Sequence, residues 1–213
     1  MKKRMRPNFI TKHLEEYSSY YIFHSVLFAM GVVFGAIVVN SLSATQKDDL
    51  FYFLGEFFLQ FQGGELVSAN EIFFHTISYN SKYIGLMWIL GISIVGLPLV
   101  FILLFLKGLV IGFTIGFFVQ QMGWQGFFLS VVSVFPQNII IVPLYIFVAV
   151  MAVNFSMQMI KKLFVKTIYQ PFGPMLVQYC MIFGIAFVSL IIAGLVEGYF
   201  TPYLMKGLLA LFG

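Results

Sequence analysis

The chain is 213 residues long, 61% hydrophobic and only 9% charged, with 27 phenylalanines and a mean hydropathy of +0.97, a composition that excludes a soluble globular domain and marks an integral membrane protein. The net charge of +4 gathers largely at the amino terminus, so it reports topology and lipid headgroups, and no nucleic-acid motif accompanies it. Spans of about 20 residues use up this length and leave one membrane domain over residues 1–213. The expected fold is all-α, a polytopic bundle of about five transmembrane helices, one of them broken, with interfacial amphipathic helices beside it. The one cysteine, Cys180, lies in an apolar run and reads as a small core hydrophobe.

Lys2, Lys3, Arg4 and Arg6 are not followed at once by an apolar core or a cleavage site, so residues 1–20 read as a basic, interfacial topology anchor and not as a cleaved signal peptide. Ile10, Leu14, Tyr17, Tyr21 and His24 recur there at helical spacing. A first span follows over Tyr21 to Leu42, with Gly31 and Gly35 four apart on one face. Residues 43–82 then hold five carboxylates (Asp48, Asp49, Glu56, Glu65, Glu71) against Lys47 and Lys82, the acidic balance of an outer segment. Within it Leu50, Phe51, Phe53, Leu54, Phe57, Phe58 and Phe61 form one face of an amphipathic helix ended by Gly63-Gly64. Its acidity opposes attraction to anionic lipid, so a packing or partner role is favoured, with Phe53, Phe57 and Phe58 as candidate partner-binding residues.

Residues 83–213 read as the helical bundle. A second span over Tyr83 to Leu106, kinked or broken near Gly96 and Pro98, descends to a cytoplasmic Lys107. The third, Gly108 to Met122, sets Gly108, Gly112 and Gly116 at four-residue intervals, a helix-packing face for a neighbour in the same chain or for a second copy in a homo-oligomer. After an outer turn at Trp124 and Gln125 the fourth span runs from Phe127 to Lys161, Lys162 and Lys166. Pro136 should stop this helix, because it lacks an N–H and disfavours the α conformation of the residue before it. Between Pro136 and Pro143, the amides of Gln137 and Asn138 can satisfy the backbone groups such a break opens. Pro171, Gly173 and Pro174 turn the chain into a last span, Met175 to Val196, and Tyr203 to Phe212 is too short to cross again. Nine Lys or Arg then fall inside and three outside, giving five crossings with the amino end in the cytoplasm; four or six follow if half-spans are counted differently.

Intramembrane chemistry needs paired carboxylates, a nucleophile with its base, or metal ligands at helical spacing. His13, His24 and His75 are scattered, and no His-Glu-x-x-His, Gly-x-Ser-x-Gly or phosphate-binding loop occurs, so neither an enzyme nor a metal or cofactor site is expected. Glu65, Glu71 and His75 read as ordinary solvated loop residues. Glu197 stands apart as the acid adjoining the later spans, and an ionisable residue near membrane depth is a functional candidate. It either closes the turn or pairs with an amide such as Gln137 or Asn138, or it meets a partner or substrate.

Ala193-Gly194-x-x-Glu197-Gly198-x-x-Thr201-Pro202 and the Pro136-to-Pro143 segment together resemble the stage II sporulation protein M family, which carries an Ala-Gly-x-x-Glu-x-x-x-Thr-Pro signature and a proline-bounded middle motif. In the wider family that motif is similar to Pro-His-Gly-x-x-Glu-x-Pro; here Gln137, Asn138 and Ile141 replace His, Gly and Glu, the form of the sporulation branch. The resemblance covers nearly the whole chain. It implies a non-enzymatic component of the forespore engulfment machinery at the septal membrane, associated with two wall-degrading partners, stage II sporulation proteins D and P. A permease or channel subunit is the alternative, suggested by the proline-flanked amides and Glu197.

Overall fold

The computed structural model describes residues 17–62, 69–164 and 172–202, with 204 and 207. Every regular element among them is helical. Helix α1, Ser18–Val38, ends in a 3₁₀ turn, Val39–Ser41. Helix α2, Ala44–Gln62, opens with a reciprocal cap in which Gln46 N–H donates to Ser43 Oγ at 3.3 Å and Ser43 N–H to Gln46 Oε1 at 3.1 Å. Helix α3 is Ala69–Ile92, α4 is Gly96–Phe164, and α5, Phe172–Leu195, runs into a π turn, Val196–Phe200.

Straight, the 69 residues of α4 would reach about 104 Å, more than three times a bilayer core. They fold back instead. The interruption is Gly123, at φ 57° and ψ −131°, a region that a side chain opposes. A Cβ on nearby Gly126 would fall 1.9 Å from the Phe118 carbonyl oxygen, so the hairpin closes only with glycine there. As a result Lys107 Nζ comes within 4.9 Å of the Tyr145 ring, although the two residues are 38 apart in the chain. α4 is therefore two antiparallel limbs, 96–122 and 124–164.

Among the described residues three stretches are long and apolar enough to cross a membrane, Ser18–Ser41, Gly96–Leu163 and Phe172–Phe200, and the second of these is the folded pair of limbs. α3 lies against α4 and α5 as a more polar member of the same bundle. The core joins α3, both limbs and α5 through Ile84, Met87, Leu104, Tyr145, Ala149, Ala186 and Leu190. The outward face is the apolar one. Ile22, Val26, Met30 and Val33 on α1 and Val177, Met181, Ile185 and Val188 on α5 are exposed, while Thr76, Asn80, Lys107, Ser130 and Ser156 are buried. That inversion is what a lipid solvent selects. Cys180, expected in the core, lies on the exposed side of α5.

Three expectations are corrected. The helix begun at Tyr83 in the sequence reading starts at Ala69, so residues 69–82, assigned to the outer segment, are the first half of a bundle helix. The turn expected at Lys107 is at Ser93 to Val95, closed by Gly96 N–H donating to Ser93 O at 3.1 Å. Pro98 then sits in the first turn of α4, where a missing N–H costs nothing. Pro136 and Pro143 do not stop a helix: backbone dihedrals stay helical through both. The carbonyls they leave unpaired are one-sided losses that packed neighbours tolerate, and Asn138 Nδ2 adds a hydrogen bond to the Val134 carbonyl at 2.6 Å in that turn.

Among its described residues α2 makes few contacts with the other helices. Its Phe53 is 69% exposed, with Tyr52 and Phe51 beside it; the side chains of Phe57 and Phe58 lie outside the described residues, as do residues 1–16, Gly63-Gly64, Glu65, Lys166 and nearly all of the segment after Pro202.

Candidate functional site

α1 and the 96–122 limb run parallel at a constant offset of 80 residues, pairing Phe28 with Gly108, Val32 with Gly112, Ala36 with Gly116 and Asn40 with Gln120. Gly31 and Gly35 of α1 meet the Phe105 and Leu109 backbone from the other side. The glycine face at 108, 112 and 116 is thus covered by α1 of the same chain. This seam fixes the limb that carries Lys107.

Lys107 stands eleven residues past Gly96 and sixteen before Gly123, near the middle of its limb, and is only 9% exposed. A lysine at the centre of a membrane helix costs about 2.5–3.5 kcal/mol. Its ammonium lies 4.9 Å from the Tyr145 ring centroid, 5.1 Å from Tyr79 and 5.8 Å from Tyr83, and each such contact returns about 0.5–2 kcal/mol. Three rings together offset the burial. Lys107 Nζ also donates to Asn80 Oδ1 at 3.4 Å, and the same oxygen accepts from the Tyr145 hydroxyl at 2.7 Å. Tyr83 stacks edge-on against Tyr145 at 5.3 Å and donates its hydroxyl to the Leu103 carbonyl, which holds the cage walls in place.

Asn80 Nδ2 passes the connection down α3 to the Thr76 carbonyl at 2.8 Å. The Thr76 hydroxyl meets both Glu197 Oε2 and the Ile72 carbonyl, the latter at 2.8 Å. Having one proton, it donates to an ionised Glu197 or, when its proton is turned to Ile72, accepts from a protonated one. The Gln137 side chain approaches Glu197 from the second limb, and Lys107 and His75 act on that carboxylate electrostatically. The chain Lys107, Asn80, Thr76, Glu197, Gln137 therefore ties both limbs of α4 and α5 to α3.

The local fold explains why Glu197 reaches inward. The π turn Val196–Phe200 inserts an extra residue per turn, closed by the Thr201 hydroxyl on the Val196 carbonyl at 3.4 Å. Ala193, Gly194 and Gly198 are the small residues on which α3 rests: Cβ positions at Gly194 and Gly198 lie 3.1 Å from Phe73 and Ile77 and 2.8 Å from the Ala69 carbonyl. The Ala193-to-Thr201 signature is thus the contact surface of α5 on α3, with Glu197 as its polar member and Pro202, half-buried, after it.

Of the residues singled out in the sequence, Gln137 and Glu197 come together, Asn138 turns to its own helix, and Pro143 is exposed. Phe53 lies on α2, which supplies no residue to this cluster. Lys107, Asn80, Thr76 and the three tyrosines were missed. The available signal was the run Thr76, Asn80, Ile84, Met87 and Gly91, one buried face at helical spacing, which a polar-loop reading overlooks. Among the described residues no three His, Cys, Asp or Glu gather as a metal site. Neither a curated protein nor a solved structure matches the chain. A family model does match, over residues 24–202, from the buried His24 of α1 to the Pro202 that closes the α5 signature, and it is the model of stage II sporulation protein M. The protein is a helical membrane protein belonging to the stage II sporulation protein M family.

Proposed function

We propose that the chain is a non-enzymatic scaffold of the forespore engulfment machinery, holding the peptidoglycan-degrading stage II sporulation proteins D and P at the septal membrane. Family membership supplies the sporulation context. The observation that carries the scaffold reading is α2, a capped helix that exposes Phe51, Tyr52 and Phe53. An exposed apolar face beside acidic Asp48 and Asp49 has the make-up of a protein-docking surface on the outer side. The amino end is cytoplasmic in this reading, and five limbs cross the bilayer.

The polar interior supports a scaffold over a permease. Asn80, Thr76 and Tyr145 are buried and bonded to one another, the arrangement of a core that fixes helix positions. The test is purification of the tagged protein in mild detergent from sporulating cells. Stoichiometric recovery of D and P, lost in a Tyr52→Ser/Phe53→Ser variant that still folds, is the expected result. Recovery unaffected by that variant removes α2 from the interface, and flux in proteoliposomes that depends on Glu197 and Asn138 replaces the scaffold with a permease.

A further inference from the structure

α3 differs from α1 and α5 in what it turns outward. Its buried face is Thr76, Asn80, Ile84, Met87 and Gly91. At 3.6 residues per turn the opposite side carries Ser78, Lys82, Gly85 and Ile89. Ser78, Lys82 and Ile89 are exposed, and a Cβ added at Gly85 would meet nothing within 4 Å. Among the described residues nothing pairs with Lys82.

The depth of that lysine follows from the register of α3 on α5. The two helices run antiparallel: the Cβ position of Gly198 lies 2.8 Å from the Ala69 carbonyl, that of Gly194 3.1 Å from Phe73, and the Tyr179 hydroxyl donates to the Trp88 carbonyl at 2.9 Å. Continued along the pair, this register sets Lys82 level with Ile185. Ile185 belongs to an exposed apolar row on α5 that runs from Val177 through Met181, Val188 and Ile192 to Leu195. At about 1.5 Å per residue the row is about 27 Å long, close to the thickness of a bilayer core of about 30 Å. Lys82 therefore lies about 12 Å inside one end of the row and about 15 Å inside the other. Either distance exceeds two helical turns, farther than a four-carbon stem carries its ammonium to water.

A charge at such a level is strongly unfavourable against acyl chains, and ionisable groups there pair with one another or face water. A second copy does not supply the counterpart. Copies in a membrane oligomer are related by rotation about the bilayer normal, which preserves height and would set Lys82 against Lys82. What the face lacks is a carboxylate. Its small Ser78 and Gly85, on either side of the lysine, let a neighbouring helix approach closely.

We propose that the outward face of α3 is an intramembrane docking surface for a membrane-spanning helix of another protein that carries an aspartate or glutamate near its middle: the carboxylate pairs with Lys82 and the helix lies over Ser78 and Gly85. The surface is separate from the exposed rings of α2 and does not depend on which proteins those rings hold.

The experiment is Förster transfer between the dye-tagged full chain and dye-labelled polyleucine helices of about 20 residues in dioleoyl phosphatidylcholine liposomes, the helices carrying a central Asp, Asn, Lys or no polar residue. The Asp helix should bind about five- to thirtyfold more tightly than the all-leucine helix and more tightly than the Asn helix. Lys82→Leu should abolish that preference, and Lys82→Glu should transfer it to the Lys helix. Tyr52→Ser/Phe53→Ser, which tests the α2 reading, should leave helix binding unchanged. Equal binding of the Asp and all-leucine helices overturns the proposal, as does a preference that persists in Lys82→Leu. Disulfide formation between copies of a Gly85→Cys chain carrying Cys180→Ser, in membranes, overturns it as well, because a second copy would then cover the face.

Discussion

Gly112→Ala is the sharpest test of how the bundle is held. A Cβ at position 112 would lie 1.9 Å from the Val32 carbonyl oxygen, 2.6 Å from its carbon and 2.7 Å from its Cα. Ordinary contact begins near 3.4 Å, so α1 must retreat by about 1.5 Å. The obstacle is backbone on a straight helix, and no rotamer change relieves it. Overpacking of this kind costs about 1–3 kcal/mol. The internal control is Gly184→Ala on α5, where nothing lies within 4 Å of the added methyl and helix propensity returns up to about 1 kcal/mol. Gly116→Ala, whose methyl would sit 3.0 Å from the Ala36 Cα, should fall between them. Since the propensity gain is common to both positions, the two extremes should differ by the overpacking cost, about 1–3 kcal/mol, or on the order of 2–12 °C in apparent melting temperature for a chain of this size. Thermal unfolding in one detergent, followed by intrinsic fluorescence, reads this ordering directly. If Gly112→Ala melts with Gly184→Ala, the parallel α1 seam is wrong.

Asn80→Leu keeps volume but strips the acceptor shared by Lys107 and the Tyr145 hydroxyl; a loss of about 2–4 kcal/mol is expected in the same melt, and a loss under about 0.5 kcal/mol would contradict the hub role. In a cycle of Lys107→Met and Glu197→Gln, with Glu197 ionised, each single change leaves one charge without its counterpart, so the double variant should be more stable than the sum of the singles by about 0.5–2 kcal/mol. Strict additivity would mean the two charges do not sense each other. Pro136→Ala restores an N–H to a helix already continuous there, so stability should rise by about 1–3 kcal/mol with unchanged circular dichroism; a fall would show that the proline sets a real break. Tyr52→Ser/Phe53→Ser should leave the melt within about 0.5 kcal/mol, since both rings are exposed.

The helical membrane class was readable from composition alone, because so apolar a chain has no soluble alternative. The path of the chain was less so, and each departure has a physical source. Lys107 drew the expected turn to itself because lysines collect at the inner membrane edge, whereas three tyrosine faces and Asn80 make an interior position tolerable. The uncharged turn at Ser93 to Val95 carried a subtler mark, Gly96 and Pro98, which open a helix as readily as they kink one. Residues 69–82 looked like loop because Asn70, Glu71, His75 and Lys82 are polar; their buried members, Thr76 and Asn80, face partners up to 121 residues away. Glu197 could be singled out from its own neighbourhood, and Gln137 was one of two amides considered for it. Thr76 could not be found, since only the folded chain brings it to that carboxylate.

The constant 80-residue offset between α1 and its limb has a consequence for biogenesis. At ordinary translation rates of about 5–20 residues per second, roughly 4–16 s separate the synthesis of Gly31 and Gly35 from that of the backbone at 105–113 that covers them. During that interval the first helix waits in the bilayer with its notched face against lipid or an insertase. A nascent chain arrested before residue 105 should therefore be the form most readily captured by the insertion apparatus, and release should come only once the second half of the seam has emerged.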